Sequence, residues 1–239
     1  MPVIYYSKYI PISDSVREVN EQEHRLGREL LTEALYELYG LRIRPEEISA
    51  AQNGKPRLPA YPAVHFNISH CDGLVVCAVD DEPVGVDAEK TGYFAEILIN
   101  KVFSEEEKSF LTAQTAQEQG TSAVSAASVD SADELRQEWF YRFWTLKEAY
   151  VKRSGIGVDT DLKAFSFRFT DFTEKEQPEK VVSAGPDSFA SAACKNRSLS
   201  VACSDPAVRC FQTALPDGHI ISLCYTGEHK SVRMKQIFL

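Results

Sequence analysis

The stretch VGVDAEK at residues 84–90 predicts a β-strand with two chemically different faces. Successive side chains of a strand point to opposite sides, so Gly85, Asp87 and Glu89 share one face. The other face carries Val84, Val86 and Ala88. These apolar side chains predict that this face is buried in the core. The two carboxylates lie about 7 Å apart along the strand. Their face is either solvated or a site for a hard cation such as Mg²⁺, because close carboxylates repel one another and suit such ions.

Two more strands are predicted just before this one, HFNISH at 65–70 and LVVCAV at 74–79. The Asp-Gly pair between them is typical of a tight hairpin turn, so an antiparallel meander is the simplest topology for residues 65–90. The first strand ends with Asn67, Ser69 and His70 just before the turn. A histidine at such a strand end is either structural or catalytic.

A predicted helix at 135–153 contains RFWTLKEAYVK, residues 142–152. Trp144, Glu148 and Lys152 recur every four residues and therefore share one face. Read alone, Glu148 and Lys152 are a surface pair contributing about 0.2–0.5 kcal/mol. The opposite stripe is apolar and consists of Phe140, Phe143, Tyr150 and Val151. A helix that is apolar almost all round is largely buried, and a buried Glu148 needs a partner such as a metal or a phosphate cluster.

The remaining pattern predicts an α+β protein. A helix is expected at 18–40, and another at 96–111, broken near Phe103, with Ser104 as N-cap and Glu107 completing a capping box. Residues 112–134 are rich in Ala, Ser, Gln and Thr, which indicates a flexible surface insertion or a partner-specific loop. The other expected strands are 3–6, 165–169, 198–203 and 219–225, and 174–196 is expected to be a loop.

Composition excludes several classes of protein. The chain has 239 residues, a formal net charge of −9 and a pI near 5.1, which argues against broad nucleic-acid binding. The N-terminal residues lack a signal-peptide pattern, and the longest apolar runs are too short to span a membrane. The cysteines form no CxxC pairs, and we predict that they are buried free thiols of a protein in a reducing cytoplasm. They are Cys71, Cys77, Cys194, Cys203, Cys210 and Cys224.

The turn NGKP at 53–56 presents Lys55 between a Gly and a Pro, either as a rigid exposed cation or as an ordinary solvated turn lysine. The sequence contains no Walker A or GxGxxG pattern, so nucleotide-binding folds of those types are not supported. Five short motifs, NGKP, FNISH, GVDAE, FSEEE and WTLKEAYVK, follow one another across residues 53–152. In this order and spacing they resemble the Sfp-type 4′-phosphopantetheinyl transferases.

The resemblance implies an enzyme that transfers the phosphopantetheine arm of coenzyme A to a serine of an apo acyl or peptidyl carrier protein. Adenosine 3′,5′-bisphosphate is the other product. It implies a monomer of two similar halves related by a pseudo-twofold axis, each a helix on a small antiparallel sheet. The halves correspond to residues 1–104 and 105–239, with the insertion near 112–134 in the second. A cytoplasmic location and no nucleic-acid or membrane partner are expected.

The resemblance also implies roles for individual residues. The Mg²⁺ ligands are Asp87, Glu89 and Glu148, with Mn²⁺ as an alternative ion. The positions matching contacts to coenzyme A are Lys55, Ser69 and His70 for the phosphates and adenosine end, Lys147 and Lys152 for the pyrophosphate, and Arg25 or Arg28 from the first long helix. Glu107 matches the catalytic base, with Glu105 and Glu106 as neighbouring alternatives. Lys152 and Glu148 complete the predicted catalytic set.

Two other functions remain open. One is a non-catalytic module that binds coenzyme A or a carrier protein, although such a module needs neither three carboxylates nor Lys152. The other is a metal-dependent phosphodiesterase, which usually needs a second metal or more histidine and aspartate ligands than this chain offers.

Overall fold

A computed structural model describes residues 1–51, 54–119, 126–157, 160–171, 199–229 and 231–239. The helices of these ranges are α1 (Val16–Tyr39), α2 (Ile97–Val102), α3 (Glu105–Gln119) and α4 (Ala126–Ser154), with a short 3-10 turn at Pro45–Glu47. The strands are β1 (Val3–Lys8), β2 (Ser49–Ala50), β3 (Pro56–Arg57), β4 (His65–Cys71), β5 (Leu74–Asp80), β6 (Val84–Lys90), β7 (Phe167–Asp171), β8 (Ser200–Cys203), β9 (Arg209–Ala214), β10 (His219–Tyr225) and β11 (Arg233–Gln236). The predicted α+β class is confirmed.

The elements stack in four layers, in the order α1, first sheet, second sheet, α4. The first sheet has the strand order β11-β1-β5-β4 and the second β6-β10-β9-β8-β7, while β2 and β3 form a separate pair. Leu30 and Leu35 of α1 pack on one face of the first sheet. The other face, with Val76, packs against Val86 and Leu223 of the second sheet. β5 is buried on both faces, which explains its continuous apolar run.

Local capping signals place the helix ends near where the sequence predicts them. Ser15 caps α1 by accepting the Glu18 N–H, and Gly40 ends it at a φ of 67°, a left-handed conformation that glycine adopts without strain. The predicted capping box at α3 is confirmed. Ser104 Oγ accepts the Glu107 N–H, and the Glu107 carboxylate accepts the Ser104 N–H in return.

The predicted meander of residues 65–90 is wrong in its last strand. β4 and β5 form the expected hairpin across Asp72 and Gly73, with Gly73 at a φ of 79°. β6 does not continue that sheet but pairs with β10 in the second one, Asp87 opposite Ser222. Likewise β11, near the end of the chain, pairs parallel to β1 in the first sheet, so that sheet is not purely antiparallel. The division of the chain at residue 104 stays a prediction.

The Ala- and Ser-rich stretch at 112–134 is more helical than predicted. α3 continues to Gln119 and α4 begins at Ala126. Ala and Gln are good helix formers, so the stretch forms helix although it has no apolar stripe. Residues 120–125 and the loop predicted at 174–196 lie outside the described residues. The sequence did not predict β2, β3, β9 or β11, which are short or weakly patterned.

Two predictions from composition can be compared with the fold. No helix in the described ranges is long and apolar enough to cross a membrane. The five described cysteines are free thiols, of which Cys77 and Cys224 are buried and the rest partly exposed, while Cys194 lies outside the described residues.

Side chains of β4 join the edges of the two sheets. Asn67 Oδ1 accepts the Val86 N–H at 2.8 Å, and Ser69 Oγ accepts the Ala88 N–H at 3.3 Å. These N–H groups lie on the edge of β6 that faces away from β10. Because an unpaired buried N–H is costly, the polar residues of FNISH stabilise the seam between the sheets.

Gly85 sets the distance between β6 and α4. A Cβ atom at this position would lie 2.2 Å from both the Ala149 carbonyl oxygen and the Arg153 nitrogen. The backbone of the helix therefore rests directly on the backbone of the strand, and only glycine allows this contact.

We predict that Gly85→Ala lowers the free energy of unfolding by about 3 kcal/mol or more, because two backbones must separate to admit one methyl group. Gly92→Ala is the matched control, since no atom lies within 4 Å of its Cβ position. The control should change stability by less than about 1 kcal/mol. Urea unfolding of the three proteins measures both effects, and equal stability of the two variants would contradict this account of the α4–β6 contact.

Candidate active site

A cavity of about 270 Å³ lies where the end of β4 meets β6 and α4. Asp87 and Glu89 line it from β6, and Trp144, Glu148 and Lys152 line it from α4. The alternation of the strand and the four-residue spacing of the helix bring these side chains to one place. Ser69 and His70 complete the wall from β4.

Asp87 is the central carboxylate of this cavity. Only 3% of the residue is exposed, and its Oδ1 accepts hydrogen bonds from Ser69 Oγ at 2.9 Å and from Lys152 Nζ at 2.5 Å. Its Oδ2 is buried and has no hydrogen-bond partner in the described part of the chain. Burial raises the pKa of Asp87, against the opposing effects of Lys152 and Ser69. A buried carboxylate oxygen without a partner is costly and indicates a missing cation or donor.

The two other carboxylates also resist ionisation. Burial and then the charge of Asp87 raise the pKa of Glu89 to about 7, although a hydrogen bond with the Trp144 side chain lowers it. Burial and Asp87 likewise raise the pKa of Glu148, against the effect of Lys152. All three groups therefore hold protons more tightly than free carboxylates do, because burial disfavours their charged form more than Lys152 favours it.

The donor chemistry fits a hard cation, although the spacing is not that of a closed metal site. Within the described ranges no group of three His, Cys, Asp or Glu side chains is close enough to hold a metal ion. Lys152 Nζ, 3.0 Å from Ser69 Oγ, is the cation that contacts Asp87. The free Oδ2 of Asp87 and the oxygens of Glu89 and Glu148 are ligands of the type that Mg²⁺ prefers.

His70 contacts Glu23 of α1, a residue that the sequence analysis missed. Its Nδ1 lies 2.9 Å from Glu23 Oε2 on α1, and Tyr9 donates its hydroxyl to the other oxygen of that carboxylate. Glu23 lies three residues before Leu26 and so falls on the apolar stripe of α1. The sequence did contain a signal for this role of Glu23, namely a carboxylate on a helix stripe that is otherwise apolar and buried.

Lys55 does not lie in this cavity and is not the predicted exposed cation. Its Nζ donates to the carbonyl oxygens of Val84, Lys152 and Arg153, at 2.7–3.2 Å. Burial lowers the pKa of Lys55 to about 8, with a further lowering from Arg153. Lys55 thus fastens the turn after residue 53 to the last turn of α4, where carbonyl groups favour a cation. It lines a separate cavity of about 370 Å³ that also contains Arg57.

Glu107 and Lys147 lie outside the cavity, paired with each other. Lys147 Nζ is 2.9 Å from Glu107 Oε2, and both side chains are fully buried. Lys147 also donates to the carbonyls of Leu162 and Phe165, and Glu107 accepts the Phe167 N–H. Every polar atom of the pair is used within the scaffold, so the geometry gives no support to Glu107 as a base or to Lys147 as a phosphate contact.

The other predicted residues lie on the surface. Glu105 pairs with Lys108, and Glu106 is largely exposed near Arg168. Arg25 forms an exposed pair with Glu29 on α1. Arg28 is exposed on the same helix. None of Glu105, Glu106, Arg25 and Arg28 lines the cavity.

Comparison with known proteins gives one consistent result. The sequence profile of the 4′-phosphopantetheinyl transferase superfamily matches residues 83–204, just over half of the chain. The chain is 33% identical over 150 residues to the 4′-phosphopantetheinyl transferase Sfp of Bacillus subtilis (strain 168), covering 62% of this chain and 59% of that protein. It is 28% identical over 179 residues to the 4′-phosphopantetheinyl transferase gsp of Aneurinibacillus migulanus, covering 74% of this chain and 62% of that protein. The matched part thus spans about six tenths of the length of these relatives.

We predict that Glu107→Gln lowers the free energy of unfolding by about 3–5 kcal/mol, because it leaves the Lys147 ammonium buried without a counter-charge. Adding Lys147→Met should restore much of that loss, since both charges are then gone. Urea unfolding of the single and double variants measures the coupling between the two residues. A single variant as stable as wild type, or a double variant with the summed losses, would contradict a structural role for the pair.

Proposed function

From the premise that this chain belongs to the 4′-phosphopantetheinyl transferase superfamily, we propose that it transfers the 4′-phosphopantetheine arm of coenzyme A to a serine of an apo acyl or peptidyl carrier protein. The observation that carries the proposal is the arrangement around Asp87. One of its oxygens is bound by Lys152, and the other is buried without a partner in the described chain, beside two further carboxylates of raised pKa. This is a site prepared for a cation and for phosphate oxygens together.

The proposed metal ligands are Asp87, Glu89 and Glu148, with Mg²⁺ as the ion and Mn²⁺ as an alternative of the same chemistry. When bound, the ion neutralises negative charge on the pyrophosphate of coenzyme A. Ionisation of all three carboxylates is then favourable, because the cation offsets the cost of burying their negative charges, which raises their pKa values.

In the proposed reaction the serine oxygen of the carrier attacks the β-phosphorus of coenzyme A. A new P–O bond forms to the serine, and the bond from that phosphorus to the bridging oxygen breaks, which releases adenosine 3′,5′-bisphosphate. Lys152 lies in the cavity with its ammonium between Ser69 and Asp87, where it can bind the departing phosphate. This placement stabilises charge where it develops.

The proton of the attacking serine must go to a base in the cavity. Glu107 is paired with Lys147 outside it, so we assign the role to Glu148, whose carboxylate lines the cavity beside Lys152 and Asp87. An ionised carboxylate within reach of the serine hydroxyl can accept its proton. Ser69 and His70 are the proposed contacts to coenzyme A from β4.

The setting of the reaction is also part of the proposal. The partners are coenzyme A and a carrier protein, with no nucleic-acid or membrane partner, and the enzyme works in the cytoplasm as a monomer. The net charge of −9 is compatible with a highly anionic substrate, because the charges that meet the phosphates are local.

We predict that the protein, mixed with coenzyme A, Mg²⁺ and apo carrier proteins of the fatty-acid and peptide-synthetase types, adds one phosphopantetheine mass to at least one carrier, as read by mass spectrometry. Glu148→Gln should lower the rate by about a hundredfold or more, because it removes a ligand and a base. The matched control is Glu134→Gln, an exposed position on the same helix.

No mass gain on any carrier would overturn the proposed function. Coenzyme A binding without transfer would favour the non-catalytic module, and phosphopantetheine released into solution would favour a phosphodiesterase. Full Mg²⁺-dependent turnover by Glu148→Gln would contradict the assignment of that residue.

A further inference from the structure

The buried carboxylate of Glu23 has no part in the proposed reaction, yet it is closely held. Only 6% of the residue is exposed, on the inner face of α1. One oxygen lies 2.9 Å from His70 Nδ1, and the other accepts the Tyr9 hydroxyl. Tyr9 also reaches the Cys71 carbonyl, at 3.2 Å. The chain following β1, the helix α1 and the end of β4 are therefore joined through this one carboxylate.

The consequence for His70 is a fixed orientation. With Nδ1–H donated to Glu23, the other ring nitrogen, Nε2, makes no hydrogen bond within the described part of the chain. His70 is a wall of the cavity that contains Asp87 and Lys152. A carboxylate that accepts a hydrogen bond from one imidazole nitrogen fixes the tautomer with the proton on that nitrogen. The second nitrogen is then available to a ligand.

The charge of His70 depends on opposing groups. Burial lowers its pKa, and His24 from α1 and Lys152 from α4 lower it further, while Glu23 raises it. The His24 ring meets the His70 ring edge-on at 5.3 Å. In the neutral ring with Nδ1–H, Nε2 carries a lone pair and repels a phosphate oxygen. In the protonated ring Nε2–H donates to that oxygen in a charge-assisted hydrogen bond.

We propose that Glu23 is a positioning residue that aims Nε2 of His70 into the cavity and stabilises the imidazolium when a phosphate group of coenzyme A binds, so that binding is coupled to protonation of His70. This inference rests on the proposed function for the identity of the ligand. On binding, Nε2 of His70 takes up one proton from solvent, and no covalent bond of the ligand changes.

The test is the titration of His70 followed by NMR of its ring, with and without coenzyme A. His70→Gln assigns the signal among the five histidines. In wild type, saturating coenzyme A should raise the pKa of His70 by about one unit or more. In Glu23→Gln the amide oxygen still accepts Nδ1–H, but the counter-charge is gone, so the pKa of His70 in the complex with coenzyme A should be lower than in wild type.

The kinetic expectation follows from the same linkage. At pH 7.5 the KM for coenzyme A should rise severalfold in Glu23→Gln, and by no more than about tenfold, with kcat within about threefold of wild type, since one pKa unit corresponds to at most a factor of ten in binding. The difference should narrow as the pH falls towards 6, because solvent protons then supply the charge. Glu21→Gln, an exposed position on the same helix, is the matched control and should change neither quantity.

Several outcomes separate this inference from the proposed function. If carriers are loaded but coenzyme A leaves the pKa of His70 unchanged, or Glu23→Gln behaves as wild type, the inference alone is overturned. If coenzyme A does not bind, the proposed function and the inference both fail. Should Glu23→Gln not fold, Tyr9→Phe removes only the hydroxyl that holds Glu23; a smaller change in the same direction supports the inference, and no change overturns it.

Discussion

The contact between α4 and β6 at Gly85 is the constraint on which the candidate site depends. Because the helix backbone touches the strand backbone there, residues two and four positions further along β6 face the helix at close range. Asp87 and Glu89 therefore share a cavity with Glu148 and Lys152. A side chain at position 85 would separate the two elements and with them the carboxylates from the lysine.

Among the described residues, two acid–lysine pairs on α4 have opposite roles. Glu107 and Lys147 have all their polar atoms bonded to each other or to backbone groups, so the pair joins α3 and α4 to the chain around Phe165 and Phe167. Asp87 is also buried but keeps one oxygen without a partner in the described chain, and its charge raises the pKa values of Glu89 and Glu148 beside it. Buried carboxylates with raised pKa values and an oxygen without a partner are expected at a site where a ligand binds.

Local chemistry was readable from the sequence, and long-range pairing was not. The alternation in VGVDAEK, the four-residue spacing from Trp144 to Lys152 and the capping box at Ser104 each involve near neighbours, and all three are confirmed. The pairing of β6 with β10 joins residues more than a hundred positions apart, and nothing in the apolar pattern of residues 65–90 specifies it. The helices within 112–134 were missed because that stretch lacks an apolar stripe. The partners of Lys55 and Glu107, and the role of Glu23, likewise arise only when distant elements pack.

The most direct test of the central claim, that β6 and α4 together form one metal and pyrophosphate site, is a crystal structure with coenzyme A and Mn²⁺, which locates the ion by anomalous scattering. The account predicts an ion about 2 Å from carboxylate oxygens of Asp87, Glu89 and Glu148, with the pyrophosphate against it and Lys152 Nζ on a phosphate oxygen. An ion or a pyrophosphate ordered away from these three carboxylates would contradict it.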